Sequence, residues 1–151
     1  METVGNEEIL KRISGETIWR MQVGVGSFLT MELGAERQSS TGLIQGQFSL
    51  WIYGAQWRIQ CDGVVATSND SRAIMESAAR GLVGARVASC SLDPSKLVLN
   101  LQINEGCSLI AMPGPDSDLE DWMLFSDDGT VLVAHNGRLA IELAYAAEQS
   151  D

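Results

Sequence analysis

The chain has 151 residues, 20 Asp and Glu against 10 Lys and Arg, a net charge of −10, and 45% hydrophobic residues. That length suits a single domain, and the balance of apolar and charged residues excludes disorder, collagen and coiled coil as the main state. No apolar run reaches the roughly 18 residues of a membrane helix, and the acidic start lacks the basic region and apolar core of a signal peptide.

The acidic balance argues against phosphate-based nucleic-acid binding, which needs clustered Lys and Arg, and against an anionic membrane surface. Lys11 and Lys96 are the only lysines, and the arginines are scattered. The charge serves solubility first, and it would speed association with a basic protein. Cys61, Cys90 and Cys107 are odd in number and widely spaced, with no CxxC pair. They read as unpaired, buried small side chains in a reducing cytoplasm, with no metal site and no cofactor.

In chain order, residues 6–14 read as a short helix, with Ile9, Leu10 and Ile13 at helical spacing and Gly15 as its stop. A hairpin follows, with Thr17, Trp19, Met21 and Val23 sharing one parity. Its turn is 24–27, and Leu29, Met31 and Leu33 alternate beyond it. Residues 35–46 are polar and read as a mobile connection. Residues 48–53 and 56–61 form a strand pair, with Gly54 at the turn or bulge. The first of these is apolar on both parities, as in a strand covered on both faces. Residues 64–66 add a short strand.

Residues 69–83 form the clearest helix. Ile74, Ala78 and Leu82 run beside Met75, Ala79 and Val83 in one stripe. Ser68 or Asn69 can cap it, Glu76 and Arg80 can pair along it, and Gly84 ends it. Strands follow at 87–92, 97–103, 107–112, 122–125 and 130–134. A last strand, with Leu139, Ile141, Leu143 and Tyr145 alternating, follows a primed hairpin turn at Asn136-Gly137. Two halves, 15–66 and 84–145, repeat a glycine, a strand, a turn and an alternating strand. Matching Trp51 with Trp122 gives a shift of about 70 residues. Duplication of a β-meander, joined by the helix 69–83, follows as an expectation.

Little chemistry is visible. Gly24-Val25-Gly26-Ser27 lacks the third glycine and the following helix of a dinucleotide loop, so it is a hairpin turn. Asp116, Asp118, Glu120, Asp121, Asp127 and Asp128 crowd one stretch without Lys or Arg. Their spacing departs from a calcium loop at the sixth and twelfth positions. They are a solvated acidic loop or a docking patch for a basic partner. His135 stands alone at a hairpin tip, with no nucleophile motif near it, so no catalytic residue is assigned. The four tryptophans lie on expected strands and default to the core. Tyr53 and Trp57 are candidates for a groove or a subunit interface.

The runs 18–19, 26–34, 50–53 and 57–59, with Ser27-Phe28-Leu29-Thr30-Met31-Glu32-Leu33-Gly34 at their centre, resemble small uncharacterised bacterial proteins of about this length. These are sometimes found with proteins similar to the immunity partners of polymorphic toxins. The resemblance implies no activity. Those proteins tend to carry a histidine between the turn glycines, where this chain has Val25.

The expected fold is mainly β: two antiparallel meanders packed as a sandwich or half-open barrel, with one central and one short N-terminal helix. Two-faced strands and long edges make a symmetric homodimer plausible. Three functional readings follow: a protein-interaction module that inhibits a basic partner in the manner of an immunity protein, a small-ligand binder with an aromatic cleft between the halves, and an enzyme.

Overall fold

The computed structural model describes residues 6–38, 41–104, 106–115 and 118–143. In chain order its elements are α1 (Asn6–Lys11), β1 (Ile18–Val23), β2 (Leu29–Gln38), β3 (Ile44–Ile52), β4 (Gln56–Cys61) and β5 (Val64–Thr67). Then come α2 (Arg72–Gly81), β6 (Val87–Asp93), β7 (Val98–Ile103), β8 (Cys107–Met112), β9 (Trp122–Ser126), β10 (Thr130–His135) and β11 (Arg138–Leu143). The strands form two antiparallel sheets, ordered β1-β2-β3-β9-β10-β11 and β5-β4-β8-β7-β6. They pack as a sandwich over one continuous core that includes Leu33, Leu50, Trp57, Leu101, Trp122 and Leu132. Each helix packs on an edge strand of both sheets, α2 on β1 and β5, α1 on β6 and β11. No described helix is long and apolar enough to cross a membrane.

The two halves are not one sheet each. The expected strand pair 48–53 and 56–61 is corrected: β3 and β4 lie in different sheets. The β4–β5 hairpin pairs with β8 of the second half, and β9–β10 pairs with β3 of the first. Each half thus lends its last hairpin to the other's sheet, and β11 stands outside the pattern.

The seam shows the same reciprocity. Gly15 N–H donates to Val87 O and Gly84 N–H to Ile18 O, both at 2.6 Å. Ile18 N–H donates to Ala85 O at 2.8 Å, and Val87 N–H to Glu16 O at 3.0 Å. Gly15 and Gly84 have φ of +87° and +93°, which a side chain would resist. The register slips at the same place in both halves, after Ile18 and after Val87.

These registers correct the alignment of the halves. Trp57 lies opposite Ala111 and Trp122 opposite Ile52, and Ala111 and Ile52 are themselves equivalent through Leu99 and Leu29. The counterpart of Trp122 is therefore Trp57, not Trp51. The strand pattern shows which residues alternate, but hairpin exchange shifts the equivalence by a few residues.

Other expectations also change. The connection 35–46 is largely strand, since Glu36, Arg37 and Gln38 pair with Gly46, Gln45 and Ile44 beyond a bulge. The cap of α2 is Ser71, whose hydroxyl accepts from Ile74 N–H at 3.3 Å. The helix ion pair is Arg72 with Glu76 at 2.9 Å. Arg72 also donates to the Val23 and Gly24 carbonyls at 2.6 and 2.7 Å, tying α2 to the β1–β2 turn. The buried stripe is Met75, Ala79 and Leu82, whereas Ile74 and Val83 are exposed. The primed turn at Asn136-Gly137 is present, both residues having positive φ. Tyr145 lies outside the described residues.

Cys61 and Cys107 are joined in a disulfide across β4 and β8, and Cys90 is free and buried. The expectation of three unpaired cysteines is corrected, and the argument for a reducing compartment loses its premise. Sequence spacing carries no sign of the pairing; the β4–β8 register creates it.

Candidate interaction surface on the six-stranded sheet

The inward residues of the six-stranded sheet feed the core. The outward ones form rows across the strands. One row runs Gln22, Thr30, Trp51, Met123, Val133 and Ala140, and the next runs Arg20, Glu32, Ser49, Phe125, Val131 and Glu142. Phe28 and Tyr53 extend the face at one end. The Phe28 ring meets Trp51 edge-on at 5.8 Å and Tyr53 at 4.8 Å, and Trp51 meets Phe125 at 4.8 Å. Such contacts hold the aromatic side chains as a fixed platform. Trp51, Met123 and Phe125 are half-buried, and Tyr53 is 40% exposed.

Charge bounds this platform. Glu32 lies at one side, its carboxylate accepting from Ser49 Oγ at 2.6 Å and from Gly46 N–H at 2.7 Å. Glu142, at the other end of the same row, is exposed. The Arg20 guanidinium lies over the Trp19 ring at 4.9 Å.

The five-stranded sheet supplies an internal comparison. Its registers place Ile110 where the first sheet has Trp51, Arg58 where it has Met123, Gln60 where it has Phe125, and Thr67 where it has Val133. Asn100 and Gln102 stand in for Thr30 and Glu32. The same backbone scaffold thus carries a largely polar outer face in one copy and an aromatic one in the other. The equivalent positions of the other sheet are filled without aromatic residues.

The expected acidic patch is not gathered at one place. Asp121 is 5% exposed, and its Oδ1 accepts from Gly114 N–H at 2.9 Å. Its carbonyl and that of Glu120 accept from Tyr53, Ala55 and Gly54, so these residues fasten the loop onto the β3–β4 turn. Asp127 pairs with Arg37 at 3.0 Å and Asp128 with Arg12 at 3.1 Å. The hydrogen bond from Thr130 N–H, helped by Arg12, holds the Asp128 carboxyl below its ordinary range. Asp118 is exposed, and Asp116 lies outside the described residues. Among the described residues, no cluster of three or more His, Cys, Asp or Glu is placed to hold a metal.

The other sequence candidates separate. Tyr53 belongs to the aromatic face. Trp57 is corrected: it is 1% exposed, in the core, with Nε1 donating to Ser27 O at 2.8 Å, and it can line no groove. The open groove at the seam has a volume of about 680 Å³ and is lined by Gly15, Arg86, Val87, Ala88 and Asn104. None of these described lining residues is aromatic, so the expected aromatic cleft between the halves is not found there. Sequence reasoning missed Phe28, Trp51, Met123 and Phe125 as surface residues. The signal was present in the two-sided apolarity of 48–53, read there as cover on both faces.

No protein-family model, curated protein or solved structure matches this chain.

Proposed function

We propose that this chain is a protein-interaction module whose working surface is the aromatic outer face of the six-stranded sheet. The observation that supports this is the contrast between equivalent sheets: aromatic and apolar on one face, largely polar on the other. Clustered aromatics on an outer face are characteristic of binding hot spots. The partner is a basic protein. The net charge of −10, and the carboxylates of Glu32 and Glu142 on either side of Phe125 in a row that Arg20 ends, fit an apolar plug flanked by Lys and Arg. The chain's form of action is occlusion of the partner's own site, in the manner of an immunity protein.

The test compares the wild-type chain with the double variant Met123→Arg and Phe125→Gln, which transplants the residues of the equivalent sheet. The reciprocal variant, Arg58→Met and Gln60→Phe, serves as control. Each is used to isolate a stoichiometric complex from the native host, and the recovered partner is purified and titrated. The expected result is a basic partner bound by wild type and control, weakened about 30-fold or more by the face variant, and weakened further by salt. Equal binding by the face variant, or a complex with a second copy alone in sedimentation, would overturn the proposal.

A further inference from the structure

A second observation, independent of the aromatic face, concerns the Cys61–Cys107 disulfide. The two cysteines lie directly opposite each other with Cα atoms 4.2 Å apart. Asp62 N–H donates to Gly106 O at 3.1 Å beside them, which marks a rung without mutual backbone hydrogen bonds. Both are half-buried and pack against the rim of the core. The equivalent rung of the other sheet is Phe48 opposite Ser126, so the fold closes this position without a covalent bond. The β4–β5 hairpin lies at the edge of its sheet and meets the other strands of that sheet through β8. Its tip carries Val64 and Val65, 72% and 45% exposed.

We propose that the Cys61–Cys107 rung is a thiol–disulfide exchange site through which a dithiol reductant unlocks the β4–β5 hairpin while the rest of the fold persists. A thiolate of the reductant attacks one sulfur, the S–S bond breaks, a mixed disulfide forms, and the other cysteine leaves as a thiolate that takes up a proton. The second thiol of the reductant then displaces the bound cysteine and closes its own disulfide. Two electrons and two protons have passed to Cys61 and Cys107.

The experiment uses the full chain, dithiothreitol as the probe, and N-ethylmaleimide labelling read by intact mass. The air-oxidised chain should take no label when native and one, at Cys90, when denatured. After dithiothreitol without denaturant, it should take two, at Cys61 and Cys107. Hydrogen exchange should then quicken about tenfold in β4–β5 and stay unchanged in β9–β10, the equivalent hairpin without a disulfide. The double variant Cys61→Ser and Cys107→Ser should exchange like the reduced chain and ignore dithiothreitol. If that variant does not fold, the reduced wild-type chain carries the same test. Three labels on the denatured, air-oxidised chain would overturn the proposal. So would unchanged exchange in the hairpin, or loss of protection throughout the chain on reduction.

Discussion

Trp57 and Trp122 occupy equivalent positions in the two sheets, each 1% exposed, yet their indole nitrogens differ in partner. Trp57 Nε1 donates to the Ser27 carbonyl at 2.8 Å, whereas the buried Trp122 Nε1 has no partner among the described residues. Substitution by Phe removes a similar amount of ring from both sites. At Trp57 it also leaves a carbonyl without its donor, while at Trp122 it removes a buried donor that was already unpartnered. Losing one intramolecular hydrogen bond costs about 0.5–1.5 kcal/mol, and removing an unpartnered buried donor offsets part of the ring lost at Trp122. Trp57→Phe should therefore destabilise the chain more than Trp122→Phe by about 1–2 kcal/mol. Urea unfolding of the two variants measures the difference, and equal losses would refute the assignment.

Asp121 closes the loop between β8 and β9 rather than offering charge to a partner. Asp121→Ala leaves Gly114 N–H without its acceptor and should cost about 1–3 kcal/mol. Asp121→Asn keeps an acceptor in place and should cost less. Asp127→Ala and Asp128→Ala break exposed ion pairs and should each cost under about 1 kcal/mol. Thermal or urea unfolding of the four variants would rank them. A cost for Asp121→Ala no larger than that for Asp127→Ala would show that the loop does not depend on this carboxylate.

Much of the fold was legible because each strand states its own alternation. Leu29, Met31 and Leu33 turn inward with Leu99, Leu101 and Ile103, as their parity predicts. The choice of sheet was not legible. β4 follows β3 after a short turn, and local pattern cannot distinguish a hairpin from a crossing to the opposite sheet. That choice rests on long-range pairing with β8. Residues 35–46 misled because a ladder needs only backbone groups, so polar side chains can extend it. The aromatic face was half legible: two-sided apolarity marked 48–53, but only the comparison with the polar outer face of the other sheet sets it apart. Asp121 misled for a different reason. A carboxylate in an acidic run looks solvated, and nothing local announces the Gly114 amide that draws it inward.

Cys90 gives the chain an alkaline limb. Burial pushes its thiol up to about 12 from an ordinary value of 9.0. The unfolded chain releases this proton first, so it binds fewer protons than the folded chain above that ordinary value. The stabilisation is fully present below about pH 9 and declines as pH rises toward 12. The slope should approach about 1.4 kcal/mol per pH unit. Cys90→Ala should flatten that limb while costing some stability at neutral pH through the lost sulfur. Urea midpoints between pH 8 and 11 would show it. A variant with the wild-type alkaline slope would remove Cys90 as the cause.

The aromatic face should be separable from the fold. Met123 and Phe125 are half-buried on the outer side, away from the continuous core, and their counterparts Arg58 and Gln60 sit in the other sheet of the same sandwich. Met123→Arg and Phe125→Gln together should leave a cooperative unfolding transition, with a loss of about 1–2 kcal/mol from apolar area returned to water. Leu124→Ala, the inward neighbour of both and fully buried, should cost about 2–5 kcal/mol. The two measurements, made by urea unfolding under identical conditions, set surface against core within one strand. Should the face variant lose as much as Leu124→Ala, the aromatic residues would be a structural layer of the protein, and the interaction reading would lose its main support.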